Sequence, residues 1–215
     1  MKNIVIMLSG RGSNMQAIAQ ACQVERWPAR VAAVVSNRPD ALALAFAREQ
    51  GIATVVLEQK DFESREAYDQ ALADRIDTFA PDLVVLAGFM RVLSASFVSH
   101  YAGRLINVHP SLLPSFPGLK THQRALESGA RIHGATVHFV TATLDCGPIV
   151  AQGAVPVLDQ DDAAALASRV LLVEHLIYPR AVRWFVEGRL SIEGSRVLAR
   201  LDPPESQWHF AAEIL

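Results

Sequence analysis

The chain has 215 residues, 51% of them hydrophobic, enough to bury a full core as a single α/β domain or as two closely fused halves. Its 20 Lys and Arg stand against 22 Asp and Glu, a net charge of -2 that lacks the basic footprint of a nucleic-acid-binding protein and directs attention to small-molecule partners. Cys22 and Cys146 lie far apart and in no metal-ligand spacing, so neither a disulfide framework nor a zinc site is expected, and a reducing cytoplasm is the natural location. No stretch approaches the ~20 apolar residues of a membrane span.

Residues 4–8 form a continuous apolar run. It is too short for a signal-peptide core and reads as a strand buried on both faces. The run ends in Ser9-Gly10-Arg11-Gly12-Ser13-Asn14 before a helical pattern over residues 15–22. Strand, glycine turn and helix in that order let backbone approach a ligand closely and offer free helix N–H groups to an anion, with Ser13 or Asn14 as the expected cap. A phosphate fits such a turn. Met15 occupies the place of the third glycine in a dinucleotide fingerprint, and no Walker lysine follows.

A second strand over 31–35 leads to Ser36-Asn37-Arg38-Pro39-Asp40, where a helix is expected to open and to run to Gln50, with Gly51 stopping it. Arg38 could accept a ribose 2′-phosphate, which leaves an NADP-dependent enzyme as a rival reading, against the ordinary one of a solvated arginine. A third strand is expected over 53–57. A long helix over 61–79 follows, with Phe62, Ala67, Ala71, Ile76 and Phe79 among its apolar positions. Next come a strand over 83–86, Gly88 at its end, and a short helix capped by Ser94. Four alternations of strand and helix argue for a parallel sheet.

The fifth strand carries the most informative stretch, Arg104-Leu105-Ile106-Asn107-Val108-His109-Pro110-Ser111-Leu112-Leu113-Pro114. Residues two apart in a strand face one way, so Asn107 and His109 converge, and Pro110 keeps His109 extended at the strand end. After a loop stiffened by Pro110, Pro114 and Pro117 and closed by Gly118, a short helix is expected over 121–127. Strands over 134–140 and 149–157 flank a short loop holding Asp145, which predicts an antiparallel pair. A long helix over about 163–186 has Leu166, Val170, Val173 and Ile177 at core spacing, and Asp159 to Asp162 at its start. A short strand over 190–192 closes the readable pattern.

Three pieces therefore fall at strand ends: residues 10–14, Asn107 with His109, and Asp145. A carboxylate beside His109 favours its protonated form, making an acid able to shuttle protons near neutrality. With the Asn107 amide as a neutral donor, the trio suits a carbonyl whose oxygen gains negative charge during attack by an amine. A serine triad is disfavoured by the lack of a Gly-x-Ser-x-Gly elbow near Ser111. Cys146 as an acyl carrier is disfavoured because adjacent Asp145 raises a thiol pKa. Metal binding by His109, His122, His133 and His138 lacks an i, i+4 helical spacing.

These residues carry a family resemblance. Ser9-Gly10-Arg11-Gly12-Ser13-Asn14, Leu86-Ala87-Gly88-Phe89-Met90-Arg91, the 106–114 stretch, Pro117-Gly118, His133-Gly134 and Leu144-Asp145-Cys146-Gly147-Pro148-Ile149 together resemble the folate-dependent formyltransferases. The resemblance implies a Rossmann-like parallel sheet in the N-terminal half continued by a mixed sheet in the C-terminal half. It implies one catalytic domain over 1–190, with a nucleotide-binding half of about 1–103, a catalytic and folate-binding half of about 104–190, and a tail over 191–215. The implied reaction moves a formyl group from 10-formyltetrahydrofolate, a co-substrate, to the amine of glycinamide ribonucleotide in purine synthesis, with no metal.

By the same resemblance, Asn107, His109 and Asp145 are catalytic, and Gly12, Ser13 and Asn14 cradle the substrate phosphate. Met90, Arg91, Val92, Leu93, Arg65 and Asn107 contact folate, and Glu174 meets the nucleotide ribose. A formyltetrahydrofolate deformylase or another formyl-folate-dependent transferase is the alternative.

Overall fold

The computed structural model describes residues 1–202 and 205–211. It divides into two compact units, Met1–Asn107 and Val108–Leu215.

The first unit is built on β1 (Lys2–Leu8), whose Ile4 to Leu8 are fully buried. It pairs in parallel with β2 (Ala29–Ser36) and with β4 (Leu83–Leu86). Outside these lie β3 (Ala53–Val56), parallel to β2, and β5 (Leu105–His109), parallel to β4, giving the order β3-β2-β1-β4-β5. β1 and β4 are runs of consecutive apolar residues because both of their faces are covered, so the sequence there has no reason to alternate, whereas the edge strand β3 buries only Val55. Strand order reverses between β1 and β4, and ligands of open parallel sheets gather beyond the carboxyl ends of such a pair.

Two expected helix spans need correction in this unit. α2 covers only Ala43–Glu49, while Pro39 and Asp40 stand in a turn where Arg38 pairs with Asp40 at 2.8 Å and its N–H donates to Ser36 Oγ. Arg38 is thereby engaged locally. The long helix is two pieces, a 3-10 turn at Gln59–Asp61 and α3 (Arg65–Asp77), because Ser64 caps α3 by accepting from Ala67 N–H at 3.0 Å. Its buried face is Tyr68, Asp69, Leu72, Ala73 and Ile76, so Ala67 lies outside it. Asp69 is buried for a reason that hydrophobic spacing does not convey: its carboxylate accepts from the N–H of Ser94, which caps α4 (Ala95–His100).

The second unit centres on the antiparallel pair β6 (Ile132–Phe139) and β7 (Ile149–Pro156). Glycines let the pair and its covering helix approach. A Cβ on Gly134 would lie 1.9 Å from the Gly153 carbonyl oxygen, and one on Gly153 would lie 2.0 Å from Val173 on α6 (Ala163–Val186). That helix begins where Asp162 accepts from the N–H groups of Ala164 and Ala165, and Leu166, Val170, Val173 and Ile177 are buried along it, as their spacing predicts. α5 (Thr121–Glu127) has the expected bounds.

The tail is more structured than its sequence indicates. β8 (Leu190–Glu193) and β9 (Arg196–Ala199) form a hairpin, with β9 touching β7 at Ile149, and β10 (Trp208–Phe210) runs parallel to β7 at Gln152–Ala154. Glu205 secures this return by accepting from Trp184 Nε1 at 2.7 Å and pairing with Arg183.

Candidate active site

β5 delivers Asn107 and His109 to one side of the strand, as alternation requires. His109 is 6% exposed, at the point where the chain leaves the strand. Its Nε2 lies 3.0 Å from the Phe116 carbonyl oxygen, and since a carbonyl can only accept, Nε2 is the donor. Its Nδ1 lies 3.5 Å from Asp145 Oδ2, and both side chains are only 8% exposed. The imidazole therefore has an oxygen on the side of each nitrogen, a hydrogen-bonded carbonyl at Nε2 and the more distant Asp145 carboxylate at Nδ1.

Asp145 is itself fixed in a left-handed conformation, φ 52, with Oδ2 accepting from Gly118 N–H at 2.8 Å. Its loop is closed by Gly147, where a Cβ would stand 1.8 Å from the Phe139 carbonyl oxygen, and by the hydrogen bond from Phe139 N–H to Pro148. Only glycine allows that approach. On its other side His138 Nε2 lies 3.9 Å from Oδ1, while His138 Nδ1 donates to the Phe139 carbonyl. Burial pushes the His138 pKa down, opposed by its backbone hydrogen bond and by Asp145.

The turn that serves both groups is strained. Phe116 has φ 54 and Lys120 φ 55, and each non-glycine residue held there costs about 1–2 kcal/mol. The Phe116 ring meets His133 edge-on at 5.9 Å, and His133 meets His122 at 5.2 Å. Thr136 on β6 ties the start of the same loop, donating to the Ser111 carbonyl at 2.7 Å and accepting from Leu113 N–H.

In the first unit the glycine turn follows β1. Gly12, with φ 75, is the residue before α1 (Ser13–Val24), and a Cβ there would lie 2.4 Å from that of Ala43. Neither Ser13 nor Asn14 caps the helix, in contrast to expectation. The left-handed glycine makes the turn, and both residues lie within the first helical turn. β4 ends beside it: Ser9 N–H donates to Gly88, and Met90 N–H donates to Ser9 Oγ at 2.9 Å. The glycine turn and the Met90 segment are thus neighbours at the strand-order reversal. Met90 and Val92 are 71% and 60% exposed, an apolar surface without a cover. Arg91 is held over the Tyr68 ring, 4.6 Å from its centroid, and hydrogen-bonds Gln59.

Two further sequence-derived residues lie on helices. Arg65 is on the exposed start of α3, 3.8 Å from Glu66, and Glu174 is 8% exposed on α6. Phe116, Gly118, His138 and Thr136 are partners of the site that residue type does not indicate, although Gly118 marks the end of its proline loop. A backbone acceptor such as the Phe116 carbonyl leaves no trace in residue type. A cavity of about 490 Å³ lies elsewhere in the second unit, lined by Cys146, Gly147, Ile149, Arg196, Gln207 and Trp208 among others, and neither His109 nor Asp145 lines it.

A parallel sheet with a glycine turn in one unit and a buried histidine-carboxylate pair in the other are features of an α/β protein suited to anion binding and proton handling. More particularly, residues 2–182 match the formyl transferase family, and the chain belongs to it. It is 55% identical over 190 residues to phosphoribosylglycinamide formyltransferase of Escherichia coli K12, covering 88% of this chain and 90% of that protein. Among solved structures, glycinamide ribonucleotide transformylase 1 from Symbiobacterium toebii aligns with a TM-score of 0.91 at 48% identity, covering 94% and 95% of the two chains. A formyltetrahydrofolate deformylase from Pseudomonas syringae pv. tomato aligns at 0.85 but is 26% identical, with 92% of this chain matched to 65% of that one. The family is one of formyltransferases using a formyl-folate co-substrate, and the transferase reading is favoured over the deformylase. Among the described residues, no helix is long and apolar enough to cross a membrane.

Proposed function

We propose that the chain transfers the formyl group of 10-formyltetrahydrofolate to the primary amine of glycinamide ribonucleotide, in the synthesis of purine nucleotides, by direct attack and without an acyl-enzyme or metal. The observation that carries this is the His109–Asp145 pair, nearly dry at 8% exposure on each side chain, with an oxygen facing each imidazole nitrogen.

The amine attacks the formyl carbon, and the carbonyl oxygen becomes an oxyanion. The Asn107 amide and the His109 ring, on the Nδ1 side that Asp145 approaches without a close hydrogen bond, stabilise it. Asp145, fixed by Gly118, orients His109 and orders the water that relays the proton from the attacking amine to the departing folate nitrogen. A well-placed oxyanion donor contributes about 10²- to 10³-fold. Gly12, Ser13 and Asn14 present the N terminus of α1 to the substrate phosphate, where free N–H groups and the helix dipole favour an anion. Glu174 meets the ribose. Met90, Arg91, Val92, Leu93, Arg65 and Asn107 take the folate, the exposed Met90 and Val92 supplying apolar cover. The free thiols of Cys22 and Cys146 suit a cytoplasmic enzyme.

Asp145→Asn tests this reading. It should lower kcat by about 10²- to 10⁴-fold while the ribonucleotide Kd stays within a few-fold, as expected for a proton-transfer group. Unchanged turnover would remove Asp145 from the mechanism.

A further inference from the structure

The hydrogen bonds that fix His109 and Asp145 end on one short turn. The Phe116 carbonyl holds His109 Nε2 at 3.0 Å, and two residues later Gly118 N–H holds Asp145 Oδ2 at 2.8 Å. The turn grips the pair at both ends, so its shape sets the 3.5 Å between Nδ1 and Oδ2. That shape is not one the chain adopts freely, since residues 116, 118 and 120 all have positive φ and only one of them is glycine.

One side chain reaches this turn from α5. Arg124 donates to the Pro117 carbonyl at 2.5 Å, on the residue between the two gripping groups, and its guanidinium lies over the Phe116 ring, 5.6 Å from the centroid. His133 meets the same ring at 5.9 Å. The nearby carboxylate of Glu127 is engaged by Gln123 instead. We infer that Arg124 is a positioning residue for formyl transfer: it holds the Phe116–Gly118 turn so that His109 and Asp145 keep their spacing. The inference rests on the reading of that pair as the proton-handling groups.

Two contacts from one planar group favour arginine here. A lysine ammonium could donate to the carbonyl or sit over the ring, but it has no flat fork with which to do both well. Arg124 is only half-buried, so its replacement leaves the core of the unit untouched.

The test compares Arg124→Gln and Arg124→Lys in the full chain, measuring kcat, KM for both substrates, and the His109 ring Nε2–H signal by nitrogen-edited NMR. Arg124→Gln should lower kcat by about 10- to 100-fold, the scale of an ångström-size misplacement, with both KM values within about twofold and the His109 signal displaced. Arg124→Lys should recover part of both. An unmoved signal, whatever happens to kcat, would overturn the positioning role. A displaced signal with unchanged kcat would instead show that the turn is held by Arg124 but that His109 is not a proton-handling group, overturning the underlying reading and the inference with it.

Discussion

At Gly12 the backbone turns into α1 with φ 75, and a Cβ would overlap that of Ala43 at 2.4 Å. An alanine there meets both backbone strain and a collision, so Gly12→Ala should destabilise the protein by about 2 kcal/mol and weaken ribonucleotide binding as the N–H groups of Ser13 and Asn14 shift. Urea unfolding and ribonucleotide titration measure the two effects, and wild-type values in both would contradict the role given to this turn. The glycine is legible in sequence because Gly-x-Gly after an apolar strand has few other uses. The capping role expected of Ser13 or Asn14 was not, since nothing in residue type tells whether the left-handed residue or a polar one begins the helix. For His109, alternation along β5 places the ring, but its Nε2 partner is a carbonyl, and every residue has one.

At the scale of elements, the buried strands and α6 were plain because their apolar spacing reflects one dominant force, burial on a face. α5 was equally plain from its length and its flanking residues. The misreadings have a common origin in polar groups that compete with the apolar pattern. Ser64 starts α3 later than the hydrophobic run implies, and Asp69 occupies a core position because it accepts from Ser94 N–H. β9 and β10 were missed because their pairing depends on distant partners: β10 finds Gln152–Ala154 of β7, and Glu205 anchors the approach through Arg183 and Trp184. Neither Trp208 nor Phe210 is buried, so no inward face marks that strand.

At the scale of the whole molecule, histidines whose pKa is lowered by burial weaken the fold in acid. Burial lowers the pKa of His122, His138 and His175, and brings that of His133 from 6.5 down to about 4. In the unfolded chain these rings take up protons as pH falls through 6.5, whereas folded His133 stays neutral until about pH 4. The unfolded state binds more protons over that window, so stability must fall as pH falls from 6.5 to 4, by about 2–3 kcal/mol for His133 alone. Urea midpoints taken from pH 7 down to 4.5 should decline accordingly, and less steeply in His133→Phe, which keeps the ring beside Phe116. A variant that declines as steeply as wild type would refute the assignment to His133.

The claim on which the rest depends is that formyl passes directly from folate to an amine. It is tested most directly by supplying 10-formyltetrahydrofolate labelled at the formyl carbon, with and without glycinamide ribonucleotide, and following the label. Label should appear on the ribonucleotide, folate product should form only when the ribonucleotide is present, and the protein should remain unlabelled. Label released as formate regardless of the ribonucleotide, or retained as a thioester on Cys146, would contradict the account.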